Sequence, residues 1–274
     1  MTEFFSLPFV QTALIVSLCS GIVLSWIGTF LLARRAAFSG LSVAQLAVLG
    51  TVIGSLGSRH GGEYAAALMI VAAGLIFYSL LSSGLTNAPQ DSWIASFYVL
   101  GAGLAVLILS KAPLGEARAM SLFFGNVLSL GWHEVVESIV LLAVSFIVFW
   151  AWLHRWVLLV FDPLSAEIAG LRVHYWNLLF YLLLAASMTL AIHNFGVLLA
   201  FSYLLLPASI GLLLVRSLNR LFVVVAGITA AVTTFGFYAS FYLDFPTGPF
   251  VASCFAVLVL MVGCGRLLIQ RLRL

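Results

Sequence analysis

Groups able to do chemistry are sparse in this chain, and their spacing excludes more than it suggests. One lysine, Lys111, stands in 274 residues, and Ala112 follows it. A phosphate-cradling G-x-x-x-x-G-K-[ST] loop needs Ser or Thr at that next position, so the chain holds no nucleotide site of that type. No HExxH zinc pair, GxSxG elbow or GxGxxG turn is present either. Cys19, Cys254 and Cys264 lie inside apolar runs without CxxC spacing, which reads as packing. Of the five histidines, His154 and His174 sit among basic residues and His60 adjoins Arg59. His133 adjoins Glu134, with Glu137 three residues on, and His193-Asn194 interrupts a long uncharged run. A cation-attracting mouth at His133, Glu134 and Glu137 and simple loop solvation both fit that spacing.

The elements that must position these groups are written in the composition. The chain is 64% hydrophobic and 8% charged, where soluble domains carry about 25% charged residues. Between Arg172 and Arg216 run 43 residues without Asp, Glu, Lys or Arg. A bilayer core takes about 20 helical residues, so that run holds two spans. Nine apolar segments are expected, near Phe9–Ala33, Gly40–Gly57, Tyr64–Leu81, Trp93–Ser110, Val135–Leu153, Tyr175–Ile192, Phe195–Val215, Leu221–Leu243 and Pro249–Leu268. Met120–Gly131 is apolar but short, which suits a re-entrant or interfacial piece. The runs are continuously apolar rather than alternating, so the fold class is all-α, a polytopic transmembrane helical bundle of eight or nine spans forming one domain over residues 1–274. The net charge of +3 carries no basic stripe for nucleic acid. The N-terminus lacks a basic n-region, so the first span is expected to stay in place.

Orientation follows from the arginines. With the N-terminus outside, the cytoplasmic segments hold Arg34, Arg35, Arg155, Arg172, Arg216, Arg220, Arg266, Arg271 and Arg273, and the outer ones Arg59, Lys111 and Arg118. The expected topology is therefore N-out and C-in. The longest polar interruption on the cytoplasmic side is Phe161–Arg172, which reads as one short helix near 162–171. Asp162 suits the N-cap, Pro163 the first helical position and Gly170 the left-handed closing residue. Leu164, Ile168 and Leu171 form one apolar stripe. A helix this short is marginal alone. It either lies on lipid or docks on a cytoplasmic partner.

That segment resembles the coupling helix of the family-3 metal-ion ABC permeases, the membrane subunits of zinc, manganese and iron importers. Four other stretches agree in order: Gly28–Phe38 with Arg34-Arg35; Leu122-Phe123-Phe124-Gly125-Asn126; Gly196-Val197-Leu198-Leu199 through Leu206-Pro207-Ala208; and Tyr242-Leu243-Asp244-Phe245-Pro246-Thr247-Gly248-Pro249. The resemblance spans nearly the whole chain. It implies a permease subunit of the bacterial cytoplasmic membrane that translocates a divalent cation and is no enzyme itself. Cytoplasmic ABC ATPase subunits, an extracytoplasmic binding protein and a second copy of the chain would be its partners, with lipid around it. Asp162, Pro163, Glu167 and Gly170 would couple it to the ATPase.

One departure bears on the cargo. The family carries Gly-Asp-x-x-x-His at the start of the second span, and this chain has Leu41 and Gln45 at those positions. Leucine offers no ligand, and an amide oxygen is a weaker, neutral one than a carboxylate or imidazole. Gln45 fits either a helix–helix hydrogen bond or a pathway role. Ser42, Gln45, His193 and Asn194 are the pathway candidates. No cofactor is expected in the chain. The alternatives are a permease of the same fold carrying a metal complex or other small solute, or a secondary transporter working without an ATPase.

Overall fold

Continuous apolar runs fold here into helices because lipid leaves no other partner for backbone N–H and C=O groups. The structure, a computed structural model, describes residues 8–56, 65–74, 90–125, 131–161, 163–215 and 217–271. Its helices are α1 (Pro8–Ala33), α2 (Ala37–Leu56), α3 (Ala65–Gly74), α4 (Gln90–Leu109), α5 (Gly115–Phe124), α6 (Trp132–Ala151), α7 (Leu153–Phe161), α8 (Pro163–Ile168), α9 (Val173–Leu214), α10 (Leu218–Tyr242) and α11 (Thr247–Arg271). There is no strand among the described residues.

Among the described residues six helices are long and apolar enough to cross a bilayer, and a seventh crossing results if α6 and α7, bent by 62°, count as one. The expected segment Tyr64–Leu81 is described only over α3. The 42-residue α9 is itself two helices joined at Gly196, the one residue in it with non-helical φ 78 and ψ 167. Ser39 and Gly40 are chain neighbours, yet Ser39 Oγ lies 3.3 Å from Tyr181 Oη and Gly40 faces the Leu204 side chain. In a straight helix Tyr181 and Leu204 would stand roughly 35 Å apart. The chain therefore folds back at Gly196, two residues beyond the polar His193-Asn194 pair expected to mark the turn.

The core lies where α1, α2 and α9 meet. The buried share of the apolar window is 67% for α1 and 72% for α2, against 22% for α4 and 17% for α11. The last two thus stand at the periphery. Near Arg34 a sheet of aromatic rings joins the elements: Trp26 against Phe146 at 5.0 Å, Phe30 against Phe149 at 5.3 Å, and Phe149 stacked on Trp156 at 5.2 Å. Trp26 Nε1 also donates to Phe222 O at 3.0 Å, which ties α1 to α10. This end of the bundle, with Arg34, Arg155 and Arg172, is called the arginine end below, and the opposite one the far end.

Candidate functional site

At the arginine end the polar segment forms two consecutive short helices. In α7, Trp156 and Leu159 turn inward and Phe161 turns outward, so the helix lies amphipathically under the bundle. Trp156, 0% exposed, holds it there between Phe149 and Phe180, the latter at 6.0 Å. Arg155 Cζ stands 4.7 Å over the Trp176 ring, a cation–π contact between α7 and the start of α9.

Helix α8 follows and ends as its sequence directs. Gly170 N–H donates to Glu167 O at 2.9 Å and Leu171 N–H to Ala166 O at 3.0 Å, with Gly170 at φ 76. These are the two bonds of a Schellman closure. Ala166 is buried against the bundle, while Glu167 is exposed and Ile168 is 87% exposed. Pro163 opens the helix. Asp162, the expected cap, lies outside the described residues.

Arg34, just past α1, links this region to the core. Its Nη1 donates to Asn177 Oδ1 at 2.8 Å, and its guanidinium stands 4.8 Å over Phe180. Nε and Nη2 are buried and donate to no acceptor among the described residues. Burial pulls the Arg34 pKa below its ordinary value, and Tyr181 offsets part of that. Arg35 takes the left-handed φ of 56 and closes α1, with Ala36 N–H donating to Leu31 O at 3.0 Å.

The pathway candidates fall in two places. Ser42 and Gln45 are buried on α2, at 6% and 4% exposure. Ser42 Oγ donates to Ile94 O on α4 at 2.7 Å. The Gln45 Oε1 atom accepts no hydrogen bond among the described residues, so this oxygen is not the interhelical glue one reading of the sequence allowed. Leu41, on the same helix, is half-buried. Beside Ser42 is a cavity of about 30 Å³, room for a water molecule or two. Ser39, Ser42, Ile94, Phe97, Gly74 and Tyr181 contribute to its wall. His193, half-buried, and Asn194, buried, sit a helical rise of about 18 Å from Tyr181. The structure does not gather the four candidates into one site. His60 lies outside the described residues, and His133 and Glu134 contribute only their places at the start of α6. Among the described residues no group of three His, Cys, Asp or Glu is placed to hold a metal ion.

Three glycines meet at the far end. Gly125 at the end of α5 and Gly196 in α9 have φ 74 and 78. A Cβ on Gly125 would collide with the Phe195 carbonyl, and one on Gly196 with the Gly125 nitrogen. At Gly248, in the first turn of α11, a Cβ would lie 2.7 Å from Phe124 O. The carbonyl ends of α5 and of the first half of α9 thus face the N–H end of α11, an arrangement that helix dipoles favour. Each glycine belongs to a different one of the ordered motifs, at Gly125-Asn126, Gly196-Val197 and Thr247-Gly248-Pro249.

The profile described as the ABC 3 transport family matches residues 6–265. The chain belongs to this family. Its relatives include the chelated iron transport system membrane protein YfeC of Yersinia pestis, 26% identical over 251 residues, covering 89% of this chain and 82% of that one. The manganese transport system membrane protein MntC of Listeria monocytogenes is also 26% identical, covering 88% and 84%. Among solved structures, PsaBC from Streptococcus pneumoniae in complex with Fab aligns at a TM-score of 0.85 with 19% identity, over 95% of this chain and 94% of that chain. The fold is therefore that of an ABC permease, and the chain is a multi-pass transport subunit from a family of metal transporters.

Set beside that membership, the sequence located the short helix and the ordered motifs but not their meeting points. Tyr181 and Ser39 are ordinary residues of apolar runs, and nothing in either marks the contact between them. Gly101 is the exception. A glycine inside a span signals close backbone approach, and a Cβ on Gly101 would lie 2.9 Å from the backbone carbonyl carbon of Gln45.

Proposed function

We propose that this chain is the permease subunit of an ATP-driven importer that moves a divalent metal cation into the cytoplasm. The observation that carries the reading is α8. A six-residue helix closed by Gly170 presents Glu167 and a bare Ile168 outward, while Trp156 anchors its neighbour α7 into the aromatic core. Such a piece is stable when something covers it, and a groove on a cytoplasmic ATPase suits its size. Push on α8 would pass through Trp156 and Phe180 to α9, and through Arg34 to α1. Asp162, Pro163, Glu167 and Gly170 are the coupling residues in this reading, and hydrolysis occurs on the separate ATPase chain. Two copies of the permease, N-terminus outside, would carry two ATPases, with a binding protein delivering cargo at the far end. Relatives named for manganese and chelated iron transport support a metal cargo.

The test is co-purification from the full gene neighbourhood in mild detergent. A stoichiometric ATPase bound to wild type, and lost from a Gly170→Val plus Glu167→Arg variant that still inserts, is the expected outcome. Retention of the ATPase by that variant removes the coupling assignment. A permease that moves metal with no ATPase present favours the secondary-transporter alternative.

A further inference from the structure

The arginine end holds a cation that is fixed in place without a counter-charge. Arg155, on α7, is exposed, yet its Cζ stands 4.7 Å over the ring of the buried Trp176. Trp152 braces that ring edge-on at 5.8 Å, and Tyr175 meets it at 6.0 Å. An exposed arginine otherwise samples many rotamers; this one rests on an aromatic shelf. Its fork of N–H groups matches phosphate or carboxylate oxygens, and among the described residues it meets no acceptor. The residue after Trp176, Asn177, holds a second cation, Arg34, whose Nε and Nη2 are buried and likewise find no acceptor among the described residues. Arg172 is exposed at the start of the same helix, whose first turn has no acidic residue and no side-chain cap. Three positive charges thus gather around the first turns of α9, and Glu167 on the adjoining α8 is exposed and pairs with none of them.

Depth decides which anion suits this place. Helix α7 leaves α6 at 62°, which lays it along the membrane surface rather than across it. Trp150 at the end of α6 is 51% exposed and Phe161 at the end of α7 is 58% exposed. Exposed aromatic side chains of this kind sit where headgroups meet hydrocarbon, so the shelf stands at headgroup level. We propose that Arg155, on its Trp176 shelf between α7 and the start of α9, binds the phosphate of one anionic phospholipid from the adjoining leaflet. The phosphodiester oxygens take the arginine fork, and the acyl chains run beside Ile147 and Trp150 on the outward side of α6. A zwitterionic lipid brings its own cation and leaves Arg34 and Arg172 uncompensated, so the site selects for net negative charge. A lipid held there clamps α7 onto α9. The site stands whether or not the chain works as an importer.

In the experiment, the delipidated full chain in a neutral detergent is titrated with dioleoylphosphatidylglycerol or dioleoylphosphatidylcholine. Native mass spectrometry counts the lipid retained, and thermal unfolding is followed alongside. Wild type is expected to retain phosphatidylglycerol at least about tenfold more tightly than phosphatidylcholine, with Tm rising as it binds. Arg155→Gln should weaken phosphatidylglycerol binding by about tenfold, the loss of one charge-assisted contact. Arg155→Lys should recover part of it, since the charge stays and the fork is lost. Arg266→Gln removes an exposed arginine from α11 and should bind as wild type does. Equal retention of the two lipids by wild type, or equal losses in Arg155→Gln and Arg266→Gln, overturns the proposal. So does stabilisation by millimolar inorganic phosphate that matches the lipid's, which would make the ligand a soluble anion. Unchanged lipid retention in Arg155→Gln with loss of a bound ATPase overturns it too, and gives the fork to an acidic protein surface. If Arg155→Gln does not purify, Arg155→Lys against wild type decides by the same two measurements.

Discussion

Replacing Gly170 isolates conformation from contact. Its φ is 76, and a Cβ built there meets nothing within 4 Å, so Gly170→Ala introduces no clash. What it adds is the left-handed penalty of an L-residue, about 1–2 kcal/mol. Helix α8 has six residues and stands near the balance between closed and frayed. The penalty therefore comes straight off the closed population, by up to roughly 5- to 30-fold. If the ATPase binds only the closed form, its apparent Kd rises by the same factor. Gly170→Asn should sit much closer to wild type, since Asn tolerates this region, and Gly170→Val should be worst. The assay is titration of fluorescent ATPase onto permease in lipid nanodiscs. Thermal unfolding of the bundle should not move, because the residue is exposed and a Cβ there meets nothing within 4 Å. Equal affinity for Gly170→Val, Gly170→Asn and wild type would refute both the closure argument and the docking role of α8.

Other substitutions test the frame. Gly196→Ala combines a left-handed residue with collision against the Gly125 backbone, and should cost about 3 kcal/mol or more, read as a lowered Tm in detergent. Trp156→Ala empties the pocket between Phe149 and Phe180 and should cost about 3–5 kcal/mol. It should also loosen α7, seen as faster proteolysis near Phe161. Ser42→Ala leaves Ile94 O without this donor and should lower Tm by the equivalent of about 1 kcal/mol. Asp244 closes α10 at φ 52, with Phe245 N–H donating to Ser240 O at 3.0 Å. Asp244→Gly should therefore leave stability unchanged or raise it slightly, and metal uptake should be untouched.

Hydropathy made the spans legible because lipid demands long apolar helices, and α1, α2, α4, α10 and α11 begin and end within a few residues of expectation. Where boundaries moved, a charge misled the reading. Glu116 and Arg118 start α5 five residues before Met120, since a helix at a bundle end can turn charges to water. His154 and Arg155 mark the bend into α7, an apolar helix that the expected segment Val135–Leu153 leaves out. The turn in α9 was expected at its polar pair, but chain reversal needed a residue that tolerates positive φ, and Gly196 supplies it. The candidate site was less legible. Gln45 stands out as a buried amide in any reading, yet Gly101, which packs on its backbone, lies on another helix, and the Ser39–Tyr181 contact joins residues far apart in the chain. Pairings of that kind follow from tertiary packing and leave no local pattern.

The glycine junction has a consequence in time. Gly125 leaves the ribosome well before Gly196, and Gly248 follows last, at roughly 5–20 residues per second. For several seconds α5 has been made while the backbone it must rest against does not yet exist. The far end of the bundle is thus finished only after almost the whole chain has entered the membrane. A chain that stops before α11 is left with two helix ends whose carbonyls face no N–H groups, a defect that membrane quality-control proteases would meet exposed.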